Sequence, residues 1–378
     1  MNEYDPGAAR RSGPPADLST GIVPSGQPLV GPAAGREADV ARGSAGERVR
    51  DRTSGRPLSH DDYRAAVRSR MADLDRLSPL PAGAGRPVSV ASGSDGAPDP
   101  AAELVPDERL IVALDVDGTI LDVNGRVSER MMAALTRMRA YGARIVISTG
   151  RGIEAALPVA RHVGLTDGWM ICANGAITLR MDPAAPRGYE VADSVTFDPS
   201  DVIAALSSAV PDGIIAVEAL DGGFRVSRPF PDGELIEDQR VVPPQEMGSE
   251  PVTRVVLRAP GMAVEEFSAL VAGCGLYSVE YAIGWTAWLD VAPEGVTKAS
   301  ALRALAARLG TGAERVVAVG DGANDIEMIR WAGVGAVMGS APRAVRDCGD
   351  LVTGPVWHDG CAALLDAVVE RTRRRSQS

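Results

Sequence analysis

The sequence predicts an α/β chain with three parts: a Rossmann-like parallel-sheet core, an inserted α+β domain, and a disordered N-terminal leader. Three observations carry that prediction. From Arg109 to about residue 180, and again from about 293, short aliphatic runs alternate with segments whose apolar residues recur every three to four positions. This is the pattern of strand–helix–strand crossovers. Between 181 and 292 the alternation gives way to shorter strands at hairpin spacing. Residues 1–105 are rich in Gly, Pro, Ala and Arg and lack aliphatic periodicity, so they bury too little surface to offset chain entropy. The implied division is a leader at 1–105, a discontinuous core at 106–180 and 293–370, an insert at 181–292, and a basic tail at 371–378.

Taken in order, the elements follow from local chemistry. Within the leader one segment stands apart. Ser59–Leu77 offers Ser59 as an N-cap and places Tyr63, Val67, Met71 and Leu74 at helical spacing, so it reads as an isolated helix, a docking element or a processed leader. Leu110–Leu114 is consecutively apolar and stops at a glycine-containing turn, the mark of a strand buried on both faces. A helix opened by Ser128 carries Met131, Leu135 and Met138 and closes at Gly142. Strands follow at Ala143–Thr149 and Trp169–Cys172, and further on at Val316–Val319 and in "VGAVMG". In the insert, Asp198 caps a helix over Pro199–Ala209. Strands are then predicted near Ile214–Glu218, Phe224–Ser227 and Arg254–Arg258, a helix around Val264–Val271, and a hairpin from Tyr277–Ala282 and Ala287–Val291. Thr297 caps a helix whose buried stripe is Leu302, Leu305 and Leu309, ending at Gly310.

Composition limits the function classes. A formal charge of −11 and a pI near 4.9 argue against a nucleic-acid binder, without excluding small anionic substrates at a local site. Cys172, Cys274, Cys348 and Cys361 are too far apart for a CxxC pair, which fits reduced thiols and a cytoplasmic protein. No apolar run reaches the roughly 18 residues of a membrane span, and the N-terminus lacks a signal-peptide centre, so no membrane partner is expected. A monomer or weak homo-oligomer is expected. His60, His162 and His358 are too scattered for a metal site; Cys172 reads as a small buried residue; Trp285 and Trp288 pack the insert or face a substrate.

The chemistry concentrates where strands end. In doubly wound sheets, ligands bind beyond the carboxyl ends of the strands. Polar clusters stand at four such ends: Asp115 with Asp117, Ser148 with Thr149, Asn174, and Asp321 with Asn324 and Asp325. Two carboxylates about 4 Å apart repel by roughly 4 kcal/mol at an effective dielectric near 20. Gathering several therefore requires a cation, and an all-oxygen donor set points to Mg²⁺. Lys298 sits in the first turn of its helix, where an ammonium opposes the helix dipole by about 0.3–1 kcal/mol. Beside an acid cluster it would hold a nucleophile and neutralise phosphoryl oxygens.

"DVDGT", "ISTGR", "GVTKASAL" and "GDGANDIEMI", in that order, resemble the four motifs of the haloacid dehalogenase superfamily of phosphatases. The long α+β insert before Lys298, "ANGA" at 173–176 and "VGAVMGSAP" at 334–342 resemble its Cof-type branch, with a type IIB cap. The likeness covers about 109–370. One departure is Ala323, where the branch carries an acidic or polar residue; the leader lies outside the family pattern.

The resemblance implies a Mg²⁺-dependent phosphatase acting on small phosphomonoesters, sugar phosphates or phosphorylated cofactors. Asp115 would be the nucleophile, forming an aspartyl-phosphate, and Asp117 the general acid and base. Thr149 would bind a phosphoryl oxygen and Lys298 would neutralise charge. Asp115, Asp117 (through its carbonyl), Asp321, Asn324 and Asp325 would surround the metal. Gly118, Thr149, Gly150, Arg151, Asn174 and Lys298 would line the substrate. Gly118 and Gly322 suit close backbone approach. Arg151 either touches substrate or pairs with an acid, and Asn174 anchors a loop at the crevice. The alternatives are a phosphotransferase or mutase on the same fold, and a non-catalytic phospholigand binder acting through the leader.

Overall fold

The computed structural model describes residues 57–77, 104–218, 222–235, 237–276, 279–283 and 287–376. It begins with helix α1 (His60–Leu77), where the Ser59 hydroxyl accepts the Asp62 amide at 3.1 Å. The core then runs β1 (Ile111–Leu114), α2 (Glu129–Ala140), β2 (Arg144–Ser148), α3 (Ile153–His162) and β3 (Gly168–Cys172). Ser128 caps α2 by accepting the Met131 amide at 3.0 Å. Strand β1 is buried on both faces: Leu110, Val112 and Leu114 enter one core cluster, Ile111 and Ala113 the other. That is the period-two alternation of a strand covered by helices on each side.

Two strands at one edge of the first sheet escaped the sequence reading. β4 (Ile177–Met181) and β5 (Tyr189–Ser194) pair antiparallel beyond β3, so the first sheet continues to Ser194 and not to 181. β5 carries the largely exposed sequence YEVADS on an outer edge, where neither an apolar run nor clean alternation betrays a strand.

The inserted region comprises α4 (Ser200–Ala209), β6 (Ile214–Glu218), β7 (Phe224–Val226), β8 (Gln239–Val241), α5 (Pro244–Met247), β9 (Val255–Arg258), α6 (Val264–Gly273), β10 (Val279–Ile283) and β11 (Trp288–Pro293). β8 and α5 were not foreseen. Asp198 accepts the Ser200 amide at 2.9 Å at the start of α4. The six strands form a second sheet in the order β10-β11-β9-β6-β7-β8. One face packs Val202, Leu206, Phe267 and Val271 of α4 and α6; the other carries Ile214, Phe224, Phe230 and Leu235. Trp288 belongs to this packing, edge-on to Phe230 at 5.6 Å, while Trp285 lies outside the described residues.

The chain returns through α7 (Lys298–Arg308), β12 (Val316–Gly320), α8 (Ile326–Trp331), β13 (Val334–Val337), α9 (Arg343–Arg346), β14 (Leu351–Val352) and α10 (Gly360–Ser376). The first sheet has the order β14-β13-β12-β1-β2-β3-β4-β5, and its pairs from β14 to β3 are parallel. The order switches at β1, which lies between β2 and β12. In register, Leu114 is level with Val319 and Ile147, so the three strands end side by side and open one crevice.

The leader expectation is corrected over 60–77, because α1 docks on the core. Tyr63, Val67, Met71 and Leu74 are buried in the main cluster together with Leu364, Leu365 and Val368 of α10. The Tyr63 hydroxyl donates to Asp366 at 2.8 Å, and Asp366 also takes a bidentate bond from Arg137. Burial, with Asp366 alongside, pushes the Tyr63 hydroxyl well above its usual range. The rest of 1–105 up to 103, apart from 57–59, lies outside the described residues. The basic tail is corrected likewise: α10 extends through Ser376, and buried Arg371 pairs with Asp75 of α1 at 2.7 Å. An apolar stripe and a shared ion pair outweigh a basic composition. No helix among the described residues is long and apolar enough to cross a membrane, and all four cysteines are free.

Candidate active site

Asp115 continues β1 by one residue, its amide donating to the Val319 carbonyl of β12 at 2.9 Å. The carboxylate is thereby fixed at the switch in strand order, and it is buried. Lys298 reaches it from the first turn of α7. Its Nζ donates to Asp115 Oδ1 at 2.7 Å and to Asp325 Oδ1 at 2.7 Å, with the ammonium 1% exposed. Thr297 and Ser300 form a reciprocal capping box that sets the start of α7 and hence the position of Lys298.

The other oxygen of Asp325 accepts the amides of Asp321 and Gly322 at 3.0 and 2.9 Å. Asp325 therefore shapes the turn that presents Asp321. Gly118 completes the junction from the β1 side. It has φ +84°, and a Cβ there would overlap the Asp321 carboxylate, so only glycine lets the two turns meet. Carboxylate oxygens of Asp115, Asp321 and Asp325 lie within 4.8 Å of one another. Three carboxylates facing one ammonium leave two negative charges, which suits an oxygen-preferring divalent cation. Burial, with Asp325 as the next cause, pushes Asp115 well above the usual carboxylate range against the pull of Lys298. Burial alone would lower the Lys298 ammonium, but Asp115 and Asp325 outweigh it and hold the ammonium above its ordinary value. The amine stays charged.

Asp117 stands at the mouth. Its carboxylate is 60% exposed and takes both arms of the Arg151 fork, at 2.8 and 2.6 Å. Arg151 thus pairs with an acid. Thr149 is buried, and its Oγ1 accepts the Arg151 amide at 3.1 Å. The hydroxyl proton is thus left to donate. Neighbouring Ser148 is buried, with a hydroxyl that makes no hydrogen bond among the described residues. Asn174, at φ 52°, anchors its loop by donating its amide to the Thr149 carbonyl and accepting Asn324 Nδ2 at 2.9 Å. A Cβ on Gly150 would come within 3.0 Å of the Asn174 side chain. All eleven residues singled out from sequence gather around this crevice, but Asn324 meets Asn174 and Asp117 meets Arg151, outside the carboxylate trio.

Sequence reasoning missed the second sheet's contribution. Arg254, buried at the start of β9, donates from Nη1 to the Gly150 carbonyl at 2.7 Å, spanning the two sheets. The same guanidinium pairs with Glu218 and Asp290, each at 3.1 Å. Burial works against its charge, but Glu218 and then Asp290 hold it raised; burial pushes Glu218 and Asp290 upward. The signal was present as charges set against apolar strand runs, in "IIAVE" and "TRVVL", where ionic groups need a partner.

Comparison with known proteins follows the same lines. The haloacid dehalogenase-like hydrolase family matches residues 112–209 and 263–365. The chain is similar to the 5-amino-6-(5-phospho-D-ribitylamino)uracil phosphatase YitU of Bacillus subtilis, 25% identical over 68% of this chain and 96% of that protein. It is also similar to the phosphoglycolate phosphatase of Halobacterium salinarum, 27% identical over 68% of this chain and 96% of that one. Among solved structures it resembles the phosphatase BT1666 of Bacteroides thetaiotaomicron, with TM-score 0.57 and 25% identity, covering 73% of this chain and 99% of the other. The subclass IIB sugar phosphatase BT4131 shares the fold, with TM-score 0.57 and 23% identity over 68% and 98% of the two chains.

Proposed function

Because this chain belongs to the haloacid dehalogenase-like hydrolases, we propose that it is a Mg²⁺-dependent phosphatase that hydrolyses small phosphomonoesters through an aspartyl-phosphate on Asp115. The observation that carries the reading is Lys298 bridging Asp115 and Asp325 at 2.7 Å each, beside Asp321 at the strand switch. Such a charge arrangement suits phosphoryl transfer, where catalysis is mostly positioning and electrostatics.

Asp115, Asp321 and the Asp117 carbonyl would hold the metal, with Asp325 and Asn324 supporting them. Asp325 has one oxygen on Lys298 and the other on two backbone amides, so its part is to orient the turn. Bound there, a divalent ion supplies positive charge toward the phosphoryl oxygens.

The chain's own residues do the rest. Lys298 orients the Asp115 carboxylate for in-line attack. An oxygen of that carboxylate forms the new bond to phosphorus as the ester P–O bond breaks. Asp117 gives its proton to the departing alkoxide. It then takes a proton from the water whose oxygen attacks phosphorus, the P–O bond to Asp115 breaks, and inorganic phosphate leaves with the Asp115 carboxylate restored. An incoming phosphoryl group competes for Arg151 and frees Asp117 from the bidentate bond. Thr149 donates its spare hydroxyl proton to a phosphoryl oxygen.

The test is phosphate release from p-nitrophenyl phosphate by the wild type and by Asp115→Asn, with Mg²⁺ and with chelator. Release that depends on Mg²⁺ and is lost in the variant is expected. Full activity of Asp115→Asn would remove Asp115 as nucleophile, and chelator-insensitive release would remove the metal.

A further inference from the structure

Beside the nucleophile stands a hydroxyl with no partner. Ser148 ends β2, is 0% exposed, and its Oγ makes no hydrogen bond among the described residues. A buried hydroxyl left unpaired costs stability, and such groups are rare in folded proteins. Alanine there would avoid that cost. The ladder shows what stands next to it. Leu114 is level with Ile147, so one step further Asp115 is level with Ser148, which is itself level with Ile171 of β3. Residues level with one another on neighbouring parallel strands point to the same face. Val146 and Ile171 belong to the cluster that packs beneath Ala299, Leu302 and Leu305 of α7, as do Ile111 and Ala113 of β1. Ser148 and Asp115 therefore project side by side toward the helix that carries Lys298. Neighbouring strands lie about 4.8 Å apart, a span that a serine and an aspartate side chain close by turning about χ1. Lys298 donates to Oδ1 of Asp115, and no hydrogen bond reaches Oδ2 among the described residues.

We propose that Ser148 is a further catalytic residue of the second chemical step: its hydroxyl donates to the Asp115 oxygen as that oxygen leaves phosphorus. The inference rests on the phosphatase reading above. In that step the water oxygen bonds to phosphorus and Asp117 takes the water's proton. The P–O bond to Asp115 breaks, and its electron pair returns to the carboxylate. Negative charge thus grows on a buried oxygen. A hydrogen bond to that oxygen strengthens as the charge grows, and Ser148 keeps its own proton throughout. In the first step the carboxylate starts out charged, and a further donor on it would only blunt it as a nucleophile. A hydroxyl idle in the resting site and engaged on the departing oxygen therefore favours the second step without slowing the first.

The experiment follows p-nitrophenyl phosphate turnover with Mg²⁺ from the first milliseconds, for the wild type, Ser148→Ala and Ser148→Cys. The cysteine keeps the bulk but donates weakly, which separates a lost hydrogen bond from a lost atom. Both variants are expected to lower kcat about tenfold or more, as loss of one hydrogen bond to a charged group does. Their kcat/KM should stay within about twofold of the wild type, because it reports the first step alone. A burst of p-nitrophenol approaching one per active site should precede the slow phase, as phosphorylated enzyme accumulates. The Tm of Ser148→Ala should hold or rise by about 2–4 °C, since an unpaired buried hydroxyl is gone. Unchanged kcat in Ser148→Ala, full turnover in Ser148→Cys, a fall in kcat/KM that matches the fall in kcat, or a lower Tm in Ser148→Ala would each overturn the assignment. Absence of release by the wild type would instead overturn the phosphatase reading on which it rests.

Discussion

Two buried cations divide the work of this molecule. Lys298 is held between Asp115 and Asp325 at 2.7 Å each; Arg254 is held between Glu218 and Asp290 at 3.1 Å each. Both are almost inaccessible and both face carboxylates, yet they do different things. Lys298 has a point charge, and Asp321 stands beside it within 4.8 Å of its partners, so its cluster keeps negative charge in excess at an open crevice. Arg254 has a planar fork, and it uses Nη1 both on Asp290 and on the Gly150 carbonyl of the other sheet. The first arrangement leaves negative charge that a divalent ion could balance. The second is a joint that holds the inserted sheet against the loop of Thr149. Burial and ion pairing alone do not mark a catalytic group; the uncompensated charge beside it does.

The sharpest way to break this comparison is at the nucleophile. Asp115→Asn is expected to lower turnover by about 10⁴-fold or more, as removal of a covalent nucleophile does, with the circular dichroism spectrum unchanged. Next, Lys298→Met and Arg254→Met each strip a buried cation from two carboxylates. Each should cost about 3–5 kcal/mol in urea unfolding, the usual penalty for breaking a buried pair. The two clusters should separate on Mg²⁺. Thermal stabilisation by the ion is expected to persist in Arg254→Met and to vanish in Asp321→Asn, a difference of about 2.7 kcal/mol at a hundredfold excess over Kd. Persistence in both would mean the carboxylate trio is not the ion site. Leu74→Ala, in α1, should cost about 2–5 kcal/mol by cavity formation while leaving turnover per folded molecule intact, because α1 touches neither cluster. The smallest effect belongs to Glu327→Gln, which weakens the 2.9 Å bond from the Thr297 hydroxyl at the α7 cap by about 0.5–1.5 kcal/mol.

The core was legible because its signals are local. A short run such as Leu110–Leu114 that stops at a glycine-containing turn reads as a strand buried on both faces, and an acid immediately past its end points to a strand-end site. α1 was half legible: Tyr63, Val67, Met71 and Leu74 drew the stripe, but nothing within the stretch says what the stripe packs against. The β4–β5 hairpin was hidden, because an edge strand such as YEVADS is stabilised by its ladder and not by its side chains.

By itself, then, the sequence determined the strand–helix alternation, the two sheets in outline, and the acids, hydroxyl and amine that gather at the strand ends. Each is set by periodicity or turn chemistry within about ten residues. Tertiary structure alone decided that Lys298 meets Asp115 across 183 positions, that Arg254 fastens one sheet to the other, and that α1 and the basic tail close on each other through Asp75 and Arg371. These depend on which distant surfaces exclude water together, and local chemistry specifies a surface without specifying its mate.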